Sequence, residues 1–373
     1  MRIRDTGRAA GKVSPDAWRH RSGGEAGHRA QKVLSRGPQP PARARRLGVK
    51  GKRFLFSVLL AVAVYVGLFA YGNFSDVAHQ LGDFRWIFLP AILGLTLFNY
   101  AMRWMKWEYY LRVANVRGVP WKESLNIFLA GLAMTLTPGK VGEWIKSYFL
   151  KEFHGVPASK SAPIVLAERV TDAFSMVLLS LGGLFLFRQE FIYVIAVAVF
   201  FLLCLAMFRF KPVATWSVAL ARRIPFLHRH AEFIYEFYQN AYIIFSPKAL
   251  LISIALGFIS WLGEGIAMYY VLLGLGAQNS WELAVQGVFI LSIASLAGAA
   301  LPLPGGLGAA EAVTSGLIKG LVGLPKDAAA AGVLLIRICT LWFGVAIGLI
   351  SLFILTRRAQ RRTPGTTRAA EPA

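Results

Sequence analysis

Two segments of this chain interrupt apolar sequence with glycine and proline, and ionisable residues follow each of them. The first reads Thr-Pro-Gly-Lys-Val-Gly-Glu over 137–143, and the second reads Pro-Leu-Pro-Gly-Gly-Leu-Gly over 302–308, with Glu311 after it. We call these two segments the first and the second breaker. About 30 residues beyond each of them, a further apolar stretch carries an arginine, Arg169 or Arg337. Duplicated, Gly/Pro-interrupted segments in corresponding halves are typical of the binding site of a secondary transporter.

The backbone of these breakers could bind an anion. Irregular backbone at membrane depth must be buried in protein or line a wet cavity, because lipid offers it no hydrogen-bond partner. Glycine allows close approach to a ligand, and a half-helix after each breaker presents free N–H groups that favour phosphate or carboxylate. The candidate substrate-binding residues here are Pro138, Gly139, Lys140, Glu143, Pro304, Gly305, Gly306 and Glu311. Ordinary turns between complete spans are the alternative.

The charged residues after the first breaker allow more than one role. Lys140, Glu143 and Lys146 follow one another at a spacing of three, so on a helix they share a face. The two lysines could hold an anionic head group, or their long side chains could reach the cytoplasmic surface. Glu143 and Glu311 could serve a positive head group, a proton or the end of a helix.

Three further candidates lie close together in the apolar stretch 161–187. Glu168 and Asp172 are four positions apart and share a helix face, with Arg169 adjacent. Ionisable residues inside a membrane are costly, so an internal ion-pair network is the simplest expectation. Arg337 is the corresponding cation after the second breaker.

Glu264 is an isolated carboxylate deep in the apolar stretch 249–273. At that depth it needs a partner such as Arg337 or Arg169. The sequence leaves open whether these charges form structural pairs, contact substrate, or do both.

The composition predicts the class of protein that positions these residues. The 373 residues are 56% hydrophobic and 16% charged, with 10 Trp and 26 Phe. Several stretches approach the roughly 20 apolar residues of a spanning helix, at 54–71, 191–208, 249–273 and 330–355. They show no alternation of polar and apolar residues, which disfavours spanning strands. The sequence therefore predicts an all-α polytopic membrane protein.

The formal net charge of +22 is concentrated at the ends and in a few loops. The positive-inside rule then places both termini on the cytoplasmic side of the inner membrane, and nucleic acid is not an expected partner. Residues 1–50 are predicted to form a disordered basic leader, and residues 357–373 are predicted to form a basic cytoplasmic tail. The cysteines and histidines show no ligand spacing, so no metal, disulfide or cofactor is predicted.

Loop charges also predict a topology. Residues 73–85 are expected to form an external loop, after which a span carries Arg103 and Lys106 at its cytoplasmic end. Residues 124–137 are too few to cross, so the first breaker is expected to form a hairpin that enters from the cytoplasm. Residues 209–248 are expected along the cytoplasmic interface.

These assignments predict a membrane domain over residues 51–356 with two structural repeats, about 85–187 and 248–355. The second hairpin must enter from the outside, so the repeats are inverted. About six full spans and two re-entrant hairpins follow, which amount to about eight hydrophobic segments.

Known catalytic signatures are absent from the sequence. It contains no nucleophile elbow, phosphate-cradling loop, metalloprotease helix or dinucleotide fingerprint. ATP-driven chemistry is therefore not expected, and the protein is predicted not to be an enzyme. Any driving force for transport would come from a gradient, a downhill lipid flow or a partner.

The motifs together resemble those of a known family. The first breaker, Glu-Arg-Val-Thr-Asp at 168–172, and Pro-Gly-Gly-Leu-Gly at 304–308 with Glu311 resemble the flippase-like membrane domain of lysylphosphatidylglycerol synthases and their single-domain relatives. The resemblance covers about residues 50 to 356. It implies movement of a lipid between leaflets. The chain ends soon after its last span, so the synthases' soluble aminoacyl-transferase domain, and with it synthase activity, is not expected.

The resulting hypothesis is a lipid flippase that moves a lipid with a charged head group by alternating access. Phospholipids, polyprenyl-phosphate-linked sugars and hopanoid-type lipids all fit. The alternatives are a membrane enzyme of lipid or glycan synthesis, and a subunit that recruits such an enzyme through residues 209–248. The expected partners are a membrane lipid, a lipid- or glycan-synthesis enzyme and further copies of the chain.

Overall fold

The structure, a computed structural model, describes residues 51–184, 231–301 and 303–362, together with positions 195 and 199. The predicted leader, most of the stretch 191–208 and most of the predicted tail lie outside the described residues. The chain divides into two units, Met1–Gly51 and Lys52–Ala373, and the architecture below belongs to the second. Every regular element in the described ranges is helical, which agrees with the predicted class.

Twelve α-helices are described, and short 3₁₀ or π turns link several of them. The α-helices are α1 Gly51–Gly72, α2 Phe74–Gly82, α3 Leu89–Val113, α4 Trp121–Ala133, α5 Ile145–His154, α6 Ala158–Leu184, α7 Ala231–Ile244, α8 Pro247–Gly274, α9 Trp281–Ala300, α10 Ala309–Leu317, α11 Lys326–Arg337 and α12 Phe343–Arg362. The 3₁₀ turns are Trp86–Phe88, Met134–Leu136, Pro138–Trp144 and Pro304–Gly306, and the π turns are Ile318–Val322 and Ile338–Trp342.

Four helical stretches of the described chain are long and apolar enough to cross a membrane. They are Trp86–Val113, Pro247–Gly274, Trp281–Ala300 and Lys326–Arg361. A fifth is present if α1 and α2, which meet at a bend of 90°, count as one broken span. The chain is therefore a multi-pass helical membrane protein.

The external loop predicted at 73–85 is wrong in part, because α2 occupies most of it. Val77 is fully buried, and Gln80 Nε2 donates a hydrogen bond to Asp327 Oδ2 at 2.9 Å, so α2 packs on the start of α11. Asn73 permits the sharp turn after α1 with a φ of 63°. The polar residues of this segment concealed its one apolar face.

Helices α3 and α8 lie side by side in opposite directions. The backbone N–H of Arg85, just before α3, donates to the carbonyl of Gly274, the last residue of α8, at 3.1 Å. Halfway along, Asn99 Nδ2 donates to the carbonyl of Ser260 at 3.0 Å, and Ser260 Oγ donates to that of Asn99 at 3.2 Å. These reciprocal bonds fix the register of the pair.

The helices on either side of this pair follow the same order. A broken segment, α4 to α5, and a long helix, α6, come after α3; a broken segment, α9 to α10, and the run α11 to α12 come after α8. The packing crosses over, because α4 lies against α12 and α9 lies against α6. Gly348 allows the first contact, since a Cβ there would lie 2.4 Å from the backbone N of Ala133.

Each broken segment begins and ends at the same end of the bundle. His154 Nε2, at the end of α5, lies 2.9 Å from Glu123 Oε2, in the first turn of α4. In the second segment, Gln286 Nε2, near the start of α9, donates to the carbonyl of Leu321 at 3.1 Å.

The two broken segments begin near opposite ends of α3. The first segment begins near the C-terminal end of α3, because Trp107 Nε1 in the second half of α3 donates to Ser124 Oγ of α4 at 3.1 Å. The second segment begins near the N-terminal end of α3, because α9 follows the end of α8 that lies beside Arg85. The 25 residues of α3 separate these ends by about 37 Å. Both segments turn in the interior and touch there, since a Cβ at Gly305 would lie 3.2 Å from Leu136.

Candidate functional site

The first breaker is held by its own threonine. Thr137 Oγ1 accepts from the backbone N–H of Gly142 at 2.7 Å and donates to the carbonyl of Met134 at 2.7 Å. A side chain at Gly142 would place its Cβ 2.6 Å from Thr137, so this turn requires glycine. The backbone over Pro138–Trp144 is a 3₁₀ turn, and the side chain of Lys140 lies outside the described part.

The second breaker has left-handed backbone and a different anchor. Gly305 and Gly306 have φ values of 62° and 69°, which side chains disfavour, and a Cβ at Gly306 would lie 2.8 Å from Gly298. Glu311 Oε2 accepts from the backbone N–H of Gly308 at 2.6 Å and so caps α10. The breakers predicted from the sequence are therefore turns built on glycine.

A glutamate just after each breaker pairs with the arginine of the following helix. Arg169 Nη2 lies 2.5 Å from Glu143 Oε2, and Arg337 Nε lies 2.8 Å from Glu311 Oε1. The step from 143 to 169 equals the step from 311 to 337, 26 positions. Both carboxylates are buried, with 3% of each side chain or less exposed, so each pair ties a breaker to the next long helix.

The turn of α6 around Arg169 contains the predicted ion-pair network. Asp172 pairs with Lys106 Nζ of α3, and Arg103 Nε lies 3.8 Å from its other oxygen. Glu168 pairs with Lys146 Nζ of α5. These ion pairs join α6 to α3 and to α5.

Three cations have roles that differ from those the sequence suggested. Arg103 and Lys106 were expected at the cytoplasmic interface, but α3 continues to Val113 and buries Lys106 completely. Lys146 does not reach the surface either, since its ammonium lies 4.6 Å from the ring centre of Trp107. The spacing of three between Arg103 and Lys106, opposite the acidic turn of α6, was the available signal.

A central cavity of about 110 Å³ lies where the two breakers meet. Its charged lining residues are Arg103, Arg169, Glu264 and Arg337. Its walls contain small and apolar side chains from several helices, together with Tyr100, Thr135 and Trp261. Tyr100 Oη donates to the carbonyl of Thr340 at 2.5 Å, so α3 is joined to the π turn after Arg337.

The structure brings most of the predicted residues to one region, where some line the cavity and others are buried behind its lining. Arg169, Glu264, Gly305 and Arg337 line the cavity. Glu143, Glu168, Asp172 and Glu311 are buried in ion pairs outside its lining, and Pro304 and Gly306 are buried in the second turn. Pro138 and Gly139 belong to the first turn. Glu264 also interacts electrostatically with Arg103, a partner that the sequence did not suggest.

Comparison with known proteins gives a consistent result. The family described as "Lysylphosphatidylglycerol synthase TM region" matches residues 56–348. Two proteins of Methanothermobacter thermautotrophicus, each named UPF0104 membrane protein, are 24% and 22% identical to the chain. The matches cover 80% of this chain and 92% of the first relative, and 81% and 95% for the second. A UPF0104 membrane protein of Methanocaldococcus jannaschii is 27% identical over 60% of this chain and 94% of its own length.

Proposed function

The chain belongs to the lysylphosphatidylglycerol synthase TM region family, and from this premise we propose that it moves a lipid with a charged head group between the leaflets of the inner membrane. The observation that carries the proposal is the central cavity, into which both breaker-linked arginines, Arg169 and Arg337, contribute. A cavity lined by ionisable residues inside an apolar bundle can shield a polar head group while its acyl chains stay in lipid.

Alternating access follows from the symmetry we propose for the two halves. Residues 85–187 and 248–355 are inverted repeats, each with a re-entrant hairpin, and about six further segments cross the membrane. The contacts Glu123–His154 and Gln286–Leu321, at opposite ends of α3, support two hairpins that enter from opposite faces.

The orientation rests on charge. The basic residues at the end of α12, Arg357, Arg358 and Arg361, favour a cytoplasmic C-terminus, and the basic residues that precede α1 favour the same side for the N-terminus. The first hairpin then opens toward the cytoplasm, and the second opens toward the outside.

Leaflet-resolved movement of fluorescent lipids in proteoliposomes tests the proposal. Wild-type protein should accelerate movement across the bilayer. The paired variants Glu311→Gln with Arg337→Gln and Glu143→Gln with Arg169→Gln, which leave neither partner of the pair charged and buried, should reduce it. Arg112→Gln removes an exposed arginine from the same bundle, away from the cavity, and should leave movement unchanged at equal protein incorporation.

Failure of the wild type to move any of several head groups would contradict the proposal. The alternatives, an enzyme of lipid or glycan synthesis or a subunit that recruits one, would then be preferred. Loss of movement in Arg112→Gln as well would show that the assay reports folding rather than the cavity.

A further inference from the structure

The charges that line the central cavity are mostly positive. Three guanidinium groups, those of Arg103, Arg169 and Arg337, face one carboxylate, that of Glu264. The carboxylates that pair with the arginines, Glu143 and Glu311 among them, are not lining residues. A ligand in the cavity therefore meets cations first, with their counter-charges set farther from it.

The hydrogen-bonding capacity of the lining has the same bias. Among the lining residues, the buried polar side-chain atoms without a hydrogen-bond partner are Arg169 Nε, Arg337 Nη2 and Trp261 Nε1. All three are donors. Guanidinium and indole groups cannot accept a hydrogen bond, so any partner that satisfies these three atoms must supply acceptors.

A phosphodiester has this character, because it carries one negative charge and oxygen atoms that only accept. A cationic ammonium head group has the opposite character, since it offers no acceptor and would meet three cations against one anion. Arginine is also well suited to phosphate, because its planar group can present two parallel donors.

We infer that the central cavity binds the phosphate of the transported lipid as an oxyanion, held between Arg169 and Arg337. This inference rests on the proposed function and specifies the part of the head group that the cavity recognises. The two arginines occupy equivalent positions after the two breakers, so each half of the bundle contributes one cation to the same phosphate. Glu264 and Arg103 lie in the same lining and bias which substituents the phosphate can carry.

Calorimetric titration of the purified full chain in detergent tests the inference. The ligands are dioctanoyl phosphatidylglycerol, dioctanoylglycerol, which lacks phosphate, a dioctanoyl lipid with a trimethylammonium head group, and inorganic phosphate. The phosphodiester lipid should bind about tenfold or more tightly than dioctanoylglycerol, as expected for charge-assisted hydrogen bonds.

The variants must remove a guanidinium group without leaving its glutamate unpaired in the interior. Glu311→Gln with Arg337→Gln, and Glu143→Gln with Arg169→Gln, replace each ion pair by neutral amides, and the first retains an acceptor for the Gly308 N–H. Each double variant should lose the tenfold preference for phosphate. Arg112→Gln should keep it.

The outcomes separate this inference from the proposed function. An unchanged preference in both double variants, or tighter binding of the trimethylammonium lipid, would overturn the inference even if lipid movement is observed. Phosphate-dependent binding without movement would support the oxyanion site and count against transport. Binding of inorganic phosphate with no gain from the acyl chains would overturn the lipid as occupant.

Discussion

The two halves around the cavity share one ion pair and differ in the charges that surround it. In the first half, Lys146, Glu168 and Asp172 are charged and buried. When the two halves are aligned so that Glu143 matches Glu311, the residues at the corresponding positions of the second half are Thr314, Ile336 and Thr340. Both threonines donate to carbonyls of their own helices, at 2.7 and 2.6 Å. The Glu–Arg pair is thus common to the two halves, whereas the additional charges belong to one.

This difference bears on how firmly each half is held. In the first half, α6 is joined to α3 and α5 by charges that need their partners. In the second half, the hydroxyls of Thr314 and Thr340 donate to carbonyls one turn earlier in the chain and bond to no other helix of the described ranges. A π turn, Ile338–Trp342, interrupts the helical run from α11 to α12 directly after Arg337. Such turns often occur at functional sites. Under the proposed alternating access, we expect the second half to be the part that moves.

The strongest test of this comparison is the removal of Asp172. Asp172→Leu leaves Lys106 buried without its carboxylate, so the free energy of unfolding should fall by about 3 to 5 kcal/mol. Thr340→Val at the equivalent position removes a hydroxyl bonded only within its own helix, and the loss should stay below about 1 kcal/mol. Thermal or denaturant unfolding in detergent measures both.

A double variant provides the control. Lys106→Met combined with Asp172→Leu removes both charges and should recover most of the lost stability. If the double variant is as unstable as Asp172→Leu alone, packing rather than the buried charge accounts for the effect. Equal losses for Asp172→Leu and Thr340→Val would contradict the asymmetry.

The two crossed helix contacts should respond differently to an added methyl group. In Gly348→Ala the new Cβ would lie 2.4 Å from the backbone of Ala133, which cannot move alone, so a loss of about 1 to 3 kcal/mol is expected. In Gly183→Ala the obstacles all belong to the side chain of Phe289, with a ring carbon at 2.3 Å and the Cβ at 2.8 Å. A side chain can shift farther than backbone, so the loss should be smaller. Gly182→Ala, with open space around it, is the matched control.

The order of these losses is the critical result. A larger loss for Gly183→Ala than for Gly348→Ala would mean that the contact between α6 and α9 is the tighter of the two crossings. Unfolding temperatures measured under the same detergent conditions suffice to rank the three variants.

The smallest expected effect separates the two tasks of Glu311. Glu311→Gln keeps an acceptor for the Gly308 N–H, whereas Glu311→Ala loses the cap along with the ion pair. The alanine variant should be less stable than the glutamine variant by about 1 kcal/mol, the usual contribution of a helix cap. Equal stabilities would show that the cap contributes nothing beyond the pairing with Arg337.

Local features of the sequence predicted the elements well where one physical signal dominated. The stretch 249–273 is α8, Pro247–Gly274, because a long apolar run without alternation satisfies its backbone in a membrane as a helix. The two breakers are irregular turns because proline and glycine do not continue a helix. The helix α2 was not predicted, because its packing face is short and lies among polar residues.

The charges near the cavity were harder to assign. The number of basic residues near the end of this apolar run predicted that Arg103 and Lys106 mark the cytoplasmic interface. In the structure Arg103 lines the cavity and Lys106 is buried beside Asp172. The length of α3 decides this, since the helix extends well past both residues before it ends. Charge counting cannot distinguish a basic residue in the last turns of a span from one outside it.

The sequence by itself determined the membrane class, the positions of the two breakers and the presence of ionisable residues in apolar surroundings, since composition and backbone chemistry are local properties. Only the tertiary structure decided which charges meet. Lys106 finds Asp172 across 66 positions of the chain, and Arg169 and Arg337 reach one cavity from separate helices. These meetings depend on how the helices cross, and that crossing is set by close contacts such as those at Gly348 and Gly306, which no single segment specifies.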